Sequence, residues 1–326
     1  MFWKKAARVA LHKMGGLAVL RNRHRREFGV LMFHSFGEQD ETNLQAMCSH
    51  IVRHFEPVSL SDIVEAIDGT KRLPDNAIAI TVDDGYKSFL DYGHPVFRRN
   101  KIPATVYAVG GFSDGRLWLW PDQIEFGLWH TSLSSIRIPT LAMELELRTP
   151  AEKNEAISVL KETLKRTPNA ERLIFMEQFG RLCKVEIPPN PPAGRQAMTW
   201  DELRAVAAEG TEVGCHTQNH PILSRVPDPV ELDAEIRGAK QFMEERLGFP
   251  VRHFCYPNGR PIDIGDAAIR CVREAGFASA VTCTYGFNSV GSTDPFEIRR
   301  IPFLSSYDLD YSKESLAGIH LPAQVT

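Results

Sequence analysis

Short apolar runs alternate with amphipathic segments over most of the chain. The apolar runs predict buried strands, because a strand covered on both faces carries apolar side chains at successive positions. The predicted strands span residues 29–33, 77–82, 104–109, 212–215, 251–256 and 277–283. The predicted helices span residues 59–69, 87–100, 200–209, 228–248 and 266–275. This alternation predicts an α/β fold built on a parallel sheet or barrel.

The alternation breaks between residues 121 and 197. Thr149 and Pro150 have the residue types of a helix N-cap and first helical position, so a helix is predicted to follow. A second amphipathic segment covers 170–183, and the proline-rich stretch 187–194 excludes regular structure. We interpret 121–197 as a mostly helical insertion in a domain formed by residues 28–120 and 198–310.

Residues 1–27 form a separate basic segment, predicted to be helical, with eight Lys and Arg residues and a single acidic one. A solvated helix packed on the domain explains this pattern. The alternative is an interfacial helix on anionic lipid that inserts Phe2, Trp3, Val9 and Leu20. The pattern predicts neither a secretory signal nor a transmembrane helix. The expected location is therefore the cytoplasm, either free or peripheral to the inner face of the membrane.

The composition is that of an ordinary globular protein. Of 326 residues, 43% are hydrophobic and 24% are charged, which suffices for a sizeable core. The net charge of −3 provides no overall positive field, so we expect no nucleic-acid partner. The six cysteines are scattered without a Cys-x-x-Cys pair, which predicts buried thiols in a reducing compartment.

Polar side chains follow the predicted strands, where parallel α/β folds bind ligands. Asp83 and Asp84 end one strand. Neighbouring strand residues point to opposite faces, so both carboxylates can serve one site only if the chain turns there. Gly85 permits such a turn. An ordinary Asp-Gly turn that caps a helix is the alternative.

The spacing of His216 and His220 places them on one side of a helical turn, where both could bind the same metal ion. Two unrelated histidines are the alternative, since the chain has 11. With one carboxylate they form a two-His, one-carboxylate set that suits Zn²⁺ or another divalent transition metal. The second carboxylate is then free to act as the base on a bound water.

Taken together, these motifs resemble those of the polysaccharide deacetylases of the NodB-homology type, carbohydrate esterase family 4. The family motifs Thr-Phe-Asp-Asp-Gly, His-Ser/Thr-x-x-His and a Pro-x-Gly turn are matched by residues 81–85, 216–220 and 254–259. The resemblance covers roughly 28–120 and 198–304. It implies a deformed parallel (β/α) barrel. It also implies a metal-dependent hydrolase that removes N-acetyl groups from an N-acetylated sugar or polysaccharide precursor and releases acetate.

The resemblance also implies a role for each matched residue. Asp83 is the implied general base, and the metal is most simply Zn²⁺, with Co²⁺, Ni²⁺ or Mn²⁺ also fitting. Asn258 and Tyr256 are the implied oxyanion or substrate contacts. The implied metal ligands are Asp84, His216 and His220.

The sequence departs from the family pattern in two places. Cys255 stands where the family often has an arginine that orients the base. Arg299 or Arg300 could replace it, although an exposed arginine pair is the alternative. The family's late Leu-x-His motif, which carries the catalytic acid, appears here near the start and ends at His34, which indicates a circular permutation. His320 is the fallback acid, and a buried histidine without a catalytic role is the alternative for His34.

Two other functions fit the same residues: a related metal-dependent amidase that acts on a small non-sugar amide, and a glycan-binding module without catalysis. In each glycan case the partner is a carbohydrate. Trp118, Trp120 and Trp129 could stack on sugar rings, although core packing is the commoner fate of tryptophan. The sequence does not indicate an oligomeric state.

Overall fold

A barrel of seven parallel strands forms the centre of the computed structural model, which describes residues 15–319. The strands of the protein are β1 (Gly29–Phe33), β2 (Glu56–Pro57), β3 (Ala77–Val82), β4 (Ala104–Ala108), β5 (Ser135–Ile138), β6 (Met143–Glu146), β7 (Glu212–Cys215), β8 (His253–Cys255), β9 (Ser279–Tyr285) and β10 (Ile298–Pro302). The barrel strands run in the order β1-β10-β9-β8-β7-β4-β3, and β3 pairs with β1 to close the barrel. The short β2 adds to the start of β3 outside this ring. The predicted deformed (β/α) barrel is therefore confirmed.

Helices surround the barrel, and π-helical turns at Phe89–Gly93 and Ala234–Gly238 extend two of them. Ser59, Thr149 and Thr199 each form a capping box at a helix start, an interaction that contributes about 1 kcal/mol. The helices are α1 (Gly16–Arg23), α2 (Glu41–His54), α3 (Leu60–Ile67), α4 (His94–Arg99), α5 (Gly110–Ser113), α6 (Trp120–His130), α7 (Pro150–Leu164), α8 (Asn169–Cys183), α9 (Trp200–Ala208), α10 (Pro229–Asp233), α11 (Ala239–Leu247), α12 (Pro261–Ile264), α13 (Asp266–Glu274) and α14 (Leu309–Leu316).

The barrel strands are apolar on both faces because both faces are covered. In β1, Val30 belongs to the small cluster that fills the barrel. Leu31 and Phe33 belong to the larger cluster between the strands and the helices. Because both faces of each strand are buried, its sequence is continuously apolar and does not alternate between apolar and polar residues. The parallel barrel also places the carboxyl ends of the strands at one rim, where the polar residues lie.

The segment 121–197 has an apolar cluster of its own, formed mainly by α6, α7 and α8. It also contains an antiparallel hairpin, β5–β6, which the prediction of a mostly helical insertion omitted. The hairpin buries Ile136, Ile138 and Leu145 and leaves intervening charged residues exposed. This is the period-two alternation of a half-buried strand, in segments too short to stand out in the sequence.

The basic N-terminal segment is described from Gly15 onward. Helix α1 packs against α14, and Val19 is exposed on its surface. Three of the residues assigned to lipid contact, Phe2, Trp3 and Val9, lie outside the described part of the chain. Binding to anionic lipid and a cytoplasmic location therefore stay predictions. No helix within 15–319 has both the length and the apolar character needed to cross a bilayer.

Candidate active site

A cavity of about 720 Å³ opens at the carboxyl-end rim of the barrel. Barrel residues line one side of it, and residues of the 121–197 segment line the other. Five of the site residues expected from the sequence line this cavity together with Asn258. Those five are His34, Asp83, Asp84, His216 and His220.

Asp84, His216 and His220 converge inside this cavity, and all three are buried. The Asp84 Oδ1 atom lies 3.4 Å from His216 Nε2 and 3.3 Å from His220 Nε2. His216 Nδ1 lies 2.7 Å from the carbonyl oxygen of Cys255, so it is the ring nitrogen that donates, and Nε2 is free for a metal. Two imidazole nitrogens and one carboxylate oxygen form a donor set that fits a divalent transition metal.

The protonation states of Asp84 and His220 favour metal binding. Burial lowers the pKa of His220 despite the opposing charge of Asp84, which favours the neutral imidazole that ligates metals. Burial alone would raise the pKa of the Asp84 carboxyl. Hydrogen bonding to the two imidazoles outweighs that effect and holds the pKa well below its ordinary value. The carboxylate is therefore ionised at neutral pH.

The chain turns sharply between the two carboxylates. Asp84 and Gly85 both have left-handed backbones, with φ of 71° and 74°. A Cβ atom at Gly85 would lie 3.1 Å from the backbone Cα of Ala108, a tight contact, so the available space also favours glycine. The turn directs both Asp83 and Asp84 into the cavity. This is the turn that the two carboxylates need if they are to serve one site.

The two histidines do not lie on a helical turn, contrary to the prediction. They belong to an irregular loop after β7, in which Thr217 and His220 have φ of 67° and 55°. The buried Glu235 holds this loop by accepting hydrogen bonds from the backbone N–H groups of Gln218 and Asn219. The sequence reasoning missed Glu235. The sequence signal for Glu235 was the presence of an acidic residue within the apolar face of the predicted helix 228–248.

Asp83 is paired with Arg300 across the barrel. Arg300 Nη1 and Nη2 donate to the two carboxylate oxygens at 2.6 and 2.8 Å, and both side chains are almost completely buried. Burial alone would raise the pKa of Asp83, but the charge and hydrogen bonds of Arg300 hold it below its ordinary value. Thr81 and the carbonyl oxygen of Thr282 accept further hydrogen bonds from Arg300.

The arginine comes from β10, which the sequence analysis did not predict. The Arg300 Nη2 atom lies 3.3 Å from the Sγ atom of Cys255, so the small Cys255 side chain leaves room for the guanidinium. Arg299 does not reach the site. It is exposed on the opposite face of β10, because successive strand residues point in opposite directions.

His34 lies at the edge of the cavity. Its Nε2 atom is 3.8 Å from Asp83 Oδ2, and 47% of its side chain is exposed. The alternative of a buried histidine is therefore not observed. His320 lies outside the described residues.

The two residues assigned to oxyanion or substrate contact lie in different places. Asn258 lines the cavity in a left-handed conformation, and its side-chain amide donates to Asp263. Tyr256 is buried away from the cavity, and its hydroxyl donates to the carbonyl oxygen of Phe296. Strand alternation explains this correction: Cys255 points into the barrel, so Tyr256 points out towards the helix layer.

The 121–197 segment supplies a polar wall that the sequence reasoning missed. Arg195 donates to Asp122 at 2.7 Å and to Glu125 at 2.6 Å. The Tyr86 hydroxyl donates to the other oxygen of Asp122 at 2.8 Å, and Lys161 pairs with the other oxygen of Glu125. Burial raises the pKa of Asp122 to about 6 even beside Arg195. This chain of contacts joins the segment to the residues next to Asp84.

Backbone hydrogen bonds make the same connection. Lys87 N donates to the carbonyl oxygen of Gln196 at 2.7 Å, and Met198 N donates to that of Gly85 at 2.9 Å. The end of the segment is therefore paired with the turn that carries the two aspartates.

The three tryptophans considered for stacking on sugar rings have different surroundings. Trp118 and Trp120 are buried, and Trp120 also forms part of the cavity wall. Trp129 is 40% exposed and does not line the cavity. Of the three, only Trp120 can contact a molecule bound there.

The profile of the polysaccharide deacetylase family matches residues 70–173 and 184–280, which is more than half of the chain. A curated relative, the poly-β-1,6-N-acetyl-D-glucosamine N-deacetylase of Escherichia coli strain K12, is 40% identical over 73 residues. That match spans 22% of this chain and only 10% of the relative's length.

Several solved structures share the fold. The deacetylase PplD of Streptococcus pyogenes, in complex with acetate, has a TM-score of 0.58 at 13% identity, covering 91% of this chain and 99% of its own. The deacetylase domain of BpsB from Bordetella bronchiseptica has a TM-score of 0.55 at 18% identity, covering 86% and 96%. IcaB from Ammonifex degensii has a TM-score of 0.56 at 15% identity, covering 90% and 97%. At these identities the likeness concerns the fold.

Proposed function

The chain belongs to the polysaccharide deacetylase family, and from that membership we propose that it is a metal-dependent hydrolase of N-acetylated sugars. It removes acetyl groups from the amino sugar of a glycan or glycan precursor and releases acetate. One observation carries the proposal: a metal-type trio and Asp83, which the buried Arg300 holds from inside the barrel, face the same cavity. The curated relative, named for N-acetyl-D-glucosamine polymers, supports an N-acetylglucosamine-containing substrate.

Each site residue has a role in this reaction. Asp84, His216 and His220 hold the metal, most simply Zn²⁺, which supplies Lewis acidity that acidifies water and polarises a carbonyl group. Asp83 accepts a proton from water as the oxygen forms a bond to the acetamide carbon. A backbone N–H near Asn258 donates to the developing oxyanion. His34 gives a proton to the sugar nitrogen as the C–N bond breaks, so the products are acetate and a free amine.

The Asp83–Arg300 pair argues against a binding module without catalysis. A structural metal site has no need for an additional ionised carboxylate beside it. Burying such a charge is costly unless a partner compensates it, and Arg300 is that partner. The chain thus keeps Asp83 ionised inside the cavity, as a general base requires.

Acetate release tests the proposed activity. We expect purified protein with added Zn²⁺ to release acetate from chitotetraose, and the release to stop after dialysis against a chelator and to return when metal is added back. An enzyme-coupled acetate assay measures this. Acetate release from simple N-alkyl acetamides but not from chitotetraose would instead support the small-amide alternative. No release from either would contradict the hydrolase.

Arg300 is proposed as the positioning residue for Asp83. Arg300→Met should lower kcat by about 10- to 100-fold with little change in KM, because the base loses its orientation and not its substrate. Without the guanidinium, burial raises the pKa of Asp83. The acidic limb of the kcat–pH profile should therefore move to higher pH.

The conservative variant Arg300→Lys separates charge from geometry. In this variant the acidic limb of the kcat–pH profile should return to its wild-type position. Only part of kcat should return, since an ammonium cannot form the two parallel hydrogen bonds. Arg299→Met, which removes the exposed neighbouring guanidinium, is the matched control. A wild-type kcat–pH profile in Arg300→Met would show that Arg300 does not position Asp83.

A further inference from the structure

Four basic side chains face the cavity in addition to the catalytic residues: Lys161, Lys165, Arg195 and Arg260. They come from three separate stretches of chain, namely the end of α7, the segment before α9 and the turn after β8. Such convergence from distant parts of the sequence is not explained by the proposed deacetylation, which needs none of them.

The acidic partners of two of these cations are not among the residues that line the cavity. Lys165 Nζ contacts Glu162 at 2.7 Å, and Arg260 contacts the same Glu162 at 3.0 Å and Asp263 at 2.6 Å. Neither Glu162 nor Asp263 lines the cavity. In these ion pairs the cations line the cavity and the acids do not.

Lys161 and Arg195 pair with acids that do line the cavity, but those acids have no free oxygen. Asp122 and Glu125 each use both carboxylate oxygens, for Tyr86, Arg195 and Lys161.

We infer that the cavity contains a subsite for an anionic oxygen group, a phosphate or a carboxylate, that the substrate carries next to its N-acetyl sugar. Lys165 and Arg260 are its principal contacts. The inference rests on the proposed function for the position of the sugar, and it adds a preference for negatively charged substrates over neutral ones. Arginine and lysine together suit such a group. The guanidinium offers several N–H donors in a fixed geometry, and the lysine ammonium offers a compact charge on a flexible side chain.

Calorimetric titration of the Asp83→Asn protein, which should turn the ligands over only slowly, tests the inference. N-acetylglucosamine 1-phosphate should bind about tenfold more tightly than N-acetylglucosamine at low salt. The advantage should shrink in about 0.5 M salt because the exposed ends of these cations are screened. A hyaluronan tetrasaccharide, which carries carboxylates, tests the second source of charge. The stronger of the two binders identifies the group.

Lys165→Glu should abolish the advantage of the charged ligand. Arg166→Ala is the matched control, since it removes an exposed cation one residue away that does not line the cavity. Equal affinities for charged and neutral sugars, or an advantage that survives Lys165→Glu, would overturn the inference. Acetate release from neutral chitotetraose without any charge preference refutes the subsite alone. A charge preference without acetate release from any of these sugars refutes the hydrolase alone.

Discussion

Asp83→Asn should retain bound metal but lower kcat by about 10²- to 10⁴-fold, the range that a general base contributes. Asparagine keeps the size of the side chain and cannot accept the proton from water. Both oxygens of Asp83 accept hydrogen bonds from Arg300, and Asp83 is not one of the three proposed ligands, so metal content measured by plasma emission should stay the same. Near-normal turnover in this variant would remove Asp83 from the role of base.

Loss of stability has to be separated from loss of chemistry in this variant. Asparagine leaves Arg300 buried without its carboxylate, and breaking one side of a buried ion pair costs about 3–5 kcal/mol. The double variant Asp83→Asn/Arg300→Met removes both charges and should recover part of the Tm without recovering turnover. Asp201→Asn makes the same chemical change at an exposed position and should match the wild type.

Asp84→Ala should lose metal and activity together. The carboxylate is one of three ligands, so we expect metal affinity to fall by more than about 100-fold, beyond the loss typical of residues that only support a ligand. His216→Ala should behave in the same way, whereas His130→Ala, an exposed histidine of α6, should not. Equilibrium dialysis with Zn²⁺ measures the affinity directly.

Thermal unfolding gives a second measure that does not depend on turnover. A metal that binds only the folded protein stabilises it by about 2.7 kcal/mol when its free concentration is 100 times the Kd. Added Zn²⁺ should therefore raise the Tm of the wild type and of Asp83→Asn but not that of Asp84→Ala. An equal rise in all three would place the metal at a different site.

The parts of the site that could be predicted from the sequence are those with local signals. Asp83, Asp84 and Gly85 stand together at the end of an apolar run, and the geometry of a strand requires a turn there if both carboxylates are to share a site. His216 likewise follows a strand directly. The carboxyl ends of parallel strands meet at one rim, so the strand pattern alone brings these residues close together.

The parts that could not be predicted depend on distant pairing. Arg300 lies 217 positions from Asp83, in a strand whose arginines interrupt the apolar pattern. Its role follows from barrel closure, which places β10 between β1 and β9. The loop conformation of His216–His220 was also missed, since residue spacing cannot distinguish a helical turn from a loop with two left-handed residues.

The cavity wall from residues 121–197 had no sequence signal, because its ionic residues on α6 and α7 also fit an exposed helix face. Lys161, Lys165 and Glu125 have the composition of an ordinary solvated surface. Only the packing of α6 and α7 against the rim of the barrel turns them towards the cavity. The charge pattern of a helix does not show which neighbour it will face.

The pairing of residues 85–87 with 196–198 restricts how this protein can change during evolution. The ends of the intervening segment are fixed to the aspartate-bearing turn by main-chain hydrogen bonds, which any residue except proline can donate. The stretch between those ends can vary in length and charge while the ends stay in register. New specificities can therefore arise by replacing the middle of the segment, whereas a shift of its return point would disturb the acid–base geometry itself.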